Sequence, residues 1–240
     1  MKKRVAIFDW DKTVQNNYAI RIWFKVLLEN KILSDKFTSE NDDLLERFKA
    51  DVIDDNELAD EGMRLLGKHL DGVSVKKVEE VRGEFKGNND EFIYQVMRNG
   101  IFPFLNKNNI EVIVISGSLN EFLDLYKDEF GINIVHGIKF EEKDGKYLSN
   151  LKFNTGTTAG KEKIINSILA DNKEILFAFG DSIVDIPLLK SARYTFVNNK
   201  KRFLEKDNIF YLDFNDEKVG AVILEKMSEC LIKFGDTPER

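Results

Sequence analysis

Apolar residues are spaced in two ways along this chain, and the spacing changes twice. Near the amino terminus, Val5, Ala6, Ile7 and Phe8 form a short uninterrupted run, the pattern of a strand buried on both faces. From residue 17 to residue 99 only helical spacing appears, in "YAIRIWFKVLLEN", "NDDLLERFKADVI", "NELADEGMRLLGKHL", "SVKKVEEVRGEF" and "NDEFIYQVMRN". After Ile110 strands and helices alternate: "EVIVIS", the helix "LNEFLDLYKDEF", "INIVHG", a hairpin through "FEEKDGKYLSNLKF" with Asp144-Gly145 at its turn, the helix "GKEKIINSILA", "EILFAFG", the helix "SIVDIPLLKSA" and "YTFVN". Alternation of this kind predicts an α/β fold with a doubly wound parallel sheet. The first strand joins that sheet, so residues 1–13 and 100–240 form the core domain and residues 14–99 an inserted all-helical domain.

Composition narrows the partners. A formal net charge of −6 gives no basic footprint for nucleic acid, and no apolar run is long enough to cross a membrane. The "MKKR" start is followed by only a short apolar run before Asp9, which does not read as a secretory leader. The single cysteine, Cys230, sits on an apolar late helix and reads as a packed thiol in a reducing, cytoplasmic setting. The last residues, "TPER", read as a frayed end.

In an open α/β sheet, ligands bind beyond the carboxyl ends of the strands. The first strand delivers Asp9 and Asp11 there, the second Ser116, Gly117 and Ser118, and the later "GDSIVD" Asp181 and Asp185, while Lys161 opens the helix between the last two groups. Neighbouring carboxylates repel one another in a partly desolvated cleft unless a cation joins them. Hard oxygen donors without a His/Cys cluster favour Mg²⁺, with Asp9, Asp11, Asp181 and Asp185 as candidate ligands. The Ser116 hydroxyl, the amides around Gly117 and the Lys161 ammonium supply donors for a phosphate.

These segments resemble the motifs of the haloacid dehalogenase-like (HAD) hydrolase superfamily. "DWDKT" is similar to its DxDxT motif, "VISGS" to the second, Lys161 to the third and "GDSIVD" to the fourth, in the family's order. The resemblance implies a Rossmann-like core and a Mg²⁺-dependent phosphomonoesterase acting on a small phosphorylated metabolite. Asp9 would be the nucleophile forming an aspartyl-phosphate, and Asp11 the general acid and base, its backbone carbonyl touching the metal. Asp181 would be a direct ligand and Asp185 a water-mediated or supporting one. A helical insertion between the first two motifs is similar to the type I cap of the phosphoserine phosphatase-like branch. A phosphotransferase of the same fold and a non-catalytic phosphate-binding regulator stay open as alternatives.

The chain departs from that branch where the substrate would be gripped. Tyr18 stands where phosphoserine phosphatases carry a glutamate, and their cap arginine aligns near Gly62, with Arg64 close by. Tyr18, Trp23 and Phe24 could form an aromatic wall for an apolar or quaternary-ammonium group, or belong to the cap core. Two further assignments rest on spacing alone: Ser118 and Asn120 read as caps of the next helix, and Lys161 is preferred to Lys163 as the phosphate-binding lysine.

Overall fold

A computed structural model describes residues 2–233 of the chain; the reading of "TPER" falls outside them. One sheet holds β1 (Lys3–Phe8), β2 (Glu111–Leu119), β3 (Ile134–Lys143), β4 (Lys146–Phe153), β5 (Lys173–Gly180), β6 (Tyr194–Val197) and β7 (Ile209–Tyr211), in the order β4-β3-β2-β1-β5-β6-β7. Every pairing is parallel except the β3–β4 hairpin, whose turn residues Asp144 and Gly145 have φ of 52° and 72°. Two successive positive φ values are what a two-residue hairpin turn requires.

β1 lies in the middle, paired to β2 and β5, and this explains its continuous apolar run: Val5, Ala6, Ile7 and Phe8 are all fully buried. Ala6 and Phe8 face one layer and Val5 and Ile7 the other, as the two-residue period of a strand demands. The first layer is aromatic, with Phe8 stacked on Phe179 at 4.3 Å between ring centres and Phe179 on Phe196 at 4.9 Å.

The helical block comprises α1 (Ala19–Glu29), α2 (Asp35–Lys49), α3 (Asp55–Leu70), α4 (Val75–Glu80) and α5 (Arg82–Asn89). α6 (Phe102–Lys107) leads into β2, and α7 (Asn120–Leu123), α8 (Lys127–Phe130), α9 (Thr158–Ala170), α10 (Ile186–Ser191) and α11 (Val219–Lys233) complete the core. α3 starts on a reciprocal cap: Asp54 accepts from the Asn56 and Glu57 amides while Glu57 accepts from the Asp54 amide. Cys230 is buried in α11, and burial pushes its thiol up to about 11, so it packs rather than reacts.

The chain enters and leaves the helical block side by side. The Asn16 amide donates to the Phe92 carbonyl and the Tyr94 amide to the Val14 carbonyl, at 2.7 and 3.0 Å. This neck lies ahead of residue 99, where the spacing placed the boundary. Residues 95–107 run on as one helical stretch, widened over Met97–Ile101, and bury Met97, Ile101, Phe102 and Leu105 in the core. The widening precedes Pro103, which lacks the amide a regular turn would use.

Three rings fasten the block to the sheet domain. Trp23 of α1 and Phe85 of α5 both meet Phe122 of α7, at 4.8 and 4.4 Å between ring centres, and all three are buried. Phe85→Ala would leave a cavity between the two units. Its expected cost is about 3–5 kcal/mol, read as a lowered urea midpoint.

Candidate active site

Strand register assembles the site. Phe8 pairs with Val114 on one side and Phe179 on the other, so the residues just beyond these ends converge. The Asp9 amide donates to the Phe179 carbonyl at 2.9 Å. Lys161 arrives from the first turn of α9, which Thr157 caps by accepting from the Gly160 amide. Its ammonium lies 2.7 Å from Asp9 Oδ1 and 2.5 Å from Asp185 Oδ1, with 4% of the side chain exposed. Lys163 instead lies over the Phe153 ring at 5.1 Å, so Lys161 is the lysine among the carboxylates.

Asp185 is fully buried, and its other oxygen accepts from the Asp181 amide, the Ser182 amide and the Ser182 hydroxyl. Oxygens of Asp9, Asp181 and Asp185 all lie within 4.8 Å of one another, close enough to share one cation. The Asp11 carboxylate is not in that group; the family resemblance gives Asp11 its metal contact through the backbone carbonyl instead. Both of its oxygens are occupied: Oδ1 accepts from the Ala19 amide at 2.7 Å and from Gln15 Nε2 at 2.9 Å, and Oδ2 from the Ser118 hydroxyl at 2.8 Å.

Ser118 is therefore not the helix cap that its place before α7 suggested, and no side-chain cap bond forms there. Asn120 braces β3 instead, accepting from the Gly137 amide and donating to Asp124. Gln15 is the residue that spacing gave no reason to select. Its amide oxygen accepts from Trp10 Nε1 at 3.0 Å and Asn89 Nδ2 at 2.7 Å, and Asn89 also donates to the Tyr126 hydroxyl. Trp10 packs against Tyr126 and Phe130 and so turns away from its acidic neighbours.

Ser116 and Gly117 line the second strand end. The Ser116 hydroxyl accepts from the Ser118 amide, and its carbonyl accepts from the Thr155 hydroxyl, leaving the Ser116 proton to donate. At Gly117 a Cβ would stand 2.9 Å from Gly156 Cα, so only glycine lets the return loop from the hairpin approach so closely. That loop also meets the helical block, where the Thr158 amide donates to Asn56 Oδ1 at 2.9 Å.

The candidate substrate residues part company. Tyr18 is 39% exposed beside Asp11 and Asp181, whose charges, after burial, raise its hydroxyl above the usual phenol value. Trp23 is fully buried against Phe85 and Phe122, and Phe24 packs on Phe37, so neither forms a wall at the site. The Arg64 guanidinium pairs with Asp60 one turn back and is largely exposed.

Burial dominates the electrostatics. It pushes Asp9 up to about 7 against the pull of Lys161, and Asp11 up to about 6 against the Ala19 amide and Ser118 hydroxyl. Asp181 is driven to about 9 by burial and then by Asp185 and Asp9. Burial opposes the charge on Lys161, yet Asp185 and Asp9 hold its pKa above the ordinary lysine value.

A carboxyl whose folded pKa exceeds its unfolded value keeps a proton that the unfolded chain has lost, so it destabilises the fold increasingly as pH rises between the two values. Asp181→Asn is therefore expected to raise the thermal midpoint in chelator, by about 2–4 °C per kcal/mol relieved in a chain of this size. The gap from the parent protein is expected to widen from pH 5 to pH 9, and any stabilisation of the parent by added Mg²⁺ to be lost. Thermal melts with and without Mg²⁺ across that range measure both effects.

The haloacid dehalogenase-like hydrolase family matches residues 6–190. Among solved structures, a probable phosphoserine phosphatase from Vibrio cholerae is similar at 15% identity and a TM-score of 0.66, covering 97% of this chain and 67% of that one. A protein of unknown function from Bordetella pertussis Tohama I is 18% identical with a TM-score of 0.66, over 82% of this chain and 90% of that one. A substrate-bound phosphoserine phosphatase is 16% identical with a TM-score of 0.58, over 92% and 99%. No curated protein matches the sequence. At such identities the structures share the fold, and the family match carries the assignment: this chain belongs to the haloacid dehalogenase-like hydrolases.

Proposed function

We propose that the chain is a Mg²⁺-dependent phosphomonoesterase of small phosphate esters, with the helical block beyond the neck acting as its cap. The observation that carries this reading is the division of labour between two aspartates at one strand end. Asp9 faces Lys161 and the cation-sized cluster, while Asp11, two residues on, is held by a separate set of donors.

Asp9 attacks phosphorus, and the ester's P–O bond breaks as the aspartyl-phosphate forms. Asp11 gives its proton to the departing alcohol, then takes one from the water that attacks the aspartyl-phosphate and releases inorganic phosphate. Its pKa of about 6 suits both transfers near neutral pH. The Ser118 hydroxyl can donate to the ionised form or accept from the protonated one, so Asp11 keeps its place through the cycle. Lys161, Ser116 and the Gly117 amide hold the phosphoryl oxygens. Asp9, Asp181 and Asp185 offer hard oxygens to Mg²⁺, which when bound offsets charge on the phosphoryl group. Gln15 fixes Asp11 from behind through the Trp10–Asn89 network.

Phosphate release from p-nitrophenyl phosphate tests the reading. Asp9→Asn is expected to lower kcat by about three orders of magnitude or more, as removal of a covalent nucleophile does. A chelator abolishes turnover, and full activity of Asp9→Asn overturns the reading. Gln15→Leu keeps the volume but removes one of the three donors that hold Asp11, so kcat is expected to fall by about tenfold while KM changes little.

A further inference from the structure

The expectation that Tyr18 offers a ring face to an ammonium group meets an obstacle: cations already lie there. The Arg21 guanidinium sits 4.8 Å from the centre of the Tyr18 ring and the Lys12 ammonium 5.3 Å from it. Tyr18 stands at the start of α1, next to Ala19, whose amide holds Asp11, and Lys12 directly follows Asp11. Both cations therefore flank a ring whose hydroxyl feels the charges of Asp11 and Asp181.

The Lys12 charge reaches the Asp11 carboxylate from beyond contact distance. Among the described residues no ion pair includes Arg21 or Lys12; the Lys12 ammonium donates to the Asn16 carbonyl, and Arg21 is exposed. The nearby acids are otherwise engaged. Asp9 and Asp185 share Lys161, Asp11 has its own donors, and Asp181 belongs to the cation cluster. Asp55, at the first turn of α3, also puts its charge on the Tyr18 hydroxyl.

We propose that Tyr18, Arg21 and Lys12 select a phosphate ester whose alcohol carries its own negative charge, a carboxylate or a second phosphate. The proposal rests on the phosphatase reading for its chemistry. Stacking on Tyr18 orients the Arg21 fork, which matches the two oxygens of either anion. An ammonium or choline group at the same position meets two like charges, so its ester is disfavoured.

Binding of non-hydrolysable phosphonates tests selection without turnover. Phosphonopropionate, hydroxypropylphosphonate and aminopropylphosphonate share one chain length and differ in terminal charge; propylene bisphosphonate supplies the second phosphate. Calorimetry in Mg²⁺ should rank the anionic ligands first and the ammonium last. The Kd ratio of hydroxyl to carboxylate ligand is expected at about tenfold, the scale of a charge-assisted hydrogen bond at a partly solvated site. Arg21→Met collapses that ratio towards one, and Arg21→Lys restores part of it. The two anionic arms tell whether carboxylate or phosphate is preferred. Equal binding of all four, tighter binding of the ammonium ligand, or an Arg21→Met loss equal across the series overturns the proposal. Turnover of p-nitrophenyl phosphate by the same preparation tests the phosphatase reading separately.

Discussion

One ammonium group buried among carboxylates sets the terms for the rest of the site. Lys161 can remain charged at 4% exposure only because Asp9 and Asp185 both contact it, and those two can crowd together only because it lies between them. Removing one partner of such an arrangement leaves a buried charge without compensation. The count is still unequal, because Asp181 adds a third carboxylate to one lysine. That surplus is what a divalent cation would answer, and in its absence burial favours the neutral acid. The site is therefore built for a bound charge rather than for its own stability.

The scaffold makes this arrangement possible by placing the strand that carries Asp9 in the middle of the sheet. With β2 and β5 on either side, β1 has no edge, and its end cannot shift without disturbing two ladders. Asp185 is fixed just as firmly, by two backbone amides and a hydroxyl beyond β5. Rigid placement of opposed charges is what gives preorganised sites their electrostatic effect.

Much of this was legible in the sequence, and the rest was hidden for physical reasons. Fully buried strands such as Val5–Phe8 announce themselves because both faces are apolar, and the Asp144-Gly145 turn because few residues tolerate its backbone. β7 leaves no mark in the sequence: three half-buried residues at the sheet edge carry almost no periodicity. Ser118 looked like a cap because a serine before a helix usually is one, and only the fold reveals that Asp11 competes for its hydroxyl. Gln15 was invisible, since a glutamine in a turn has no pattern until its four partners are assembled around it. Helical spacing placed Trp23 and Phe24 on one helix with Tyr18, but it could not say that they face inward while Tyr18 does not.

The β3–β4 hairpin reaches beyond the core and bonds to the helical block: the Gly72 amide donates to the Tyr147 carbonyl, the Tyr147 amide to the Val73 carbonyl, and the Val75 amide to the Gly145 carbonyl. A block joined to the core only at its neck could swing as a hinged lid. This one is latched on a second side by backbone bonds that continue the sheet's own ladder, and swinging it open would expose them to water together. Any opening of the block would therefore have to break these bonds as well as flex the neck, so its position over the strand ends is set by two attachments rather than one.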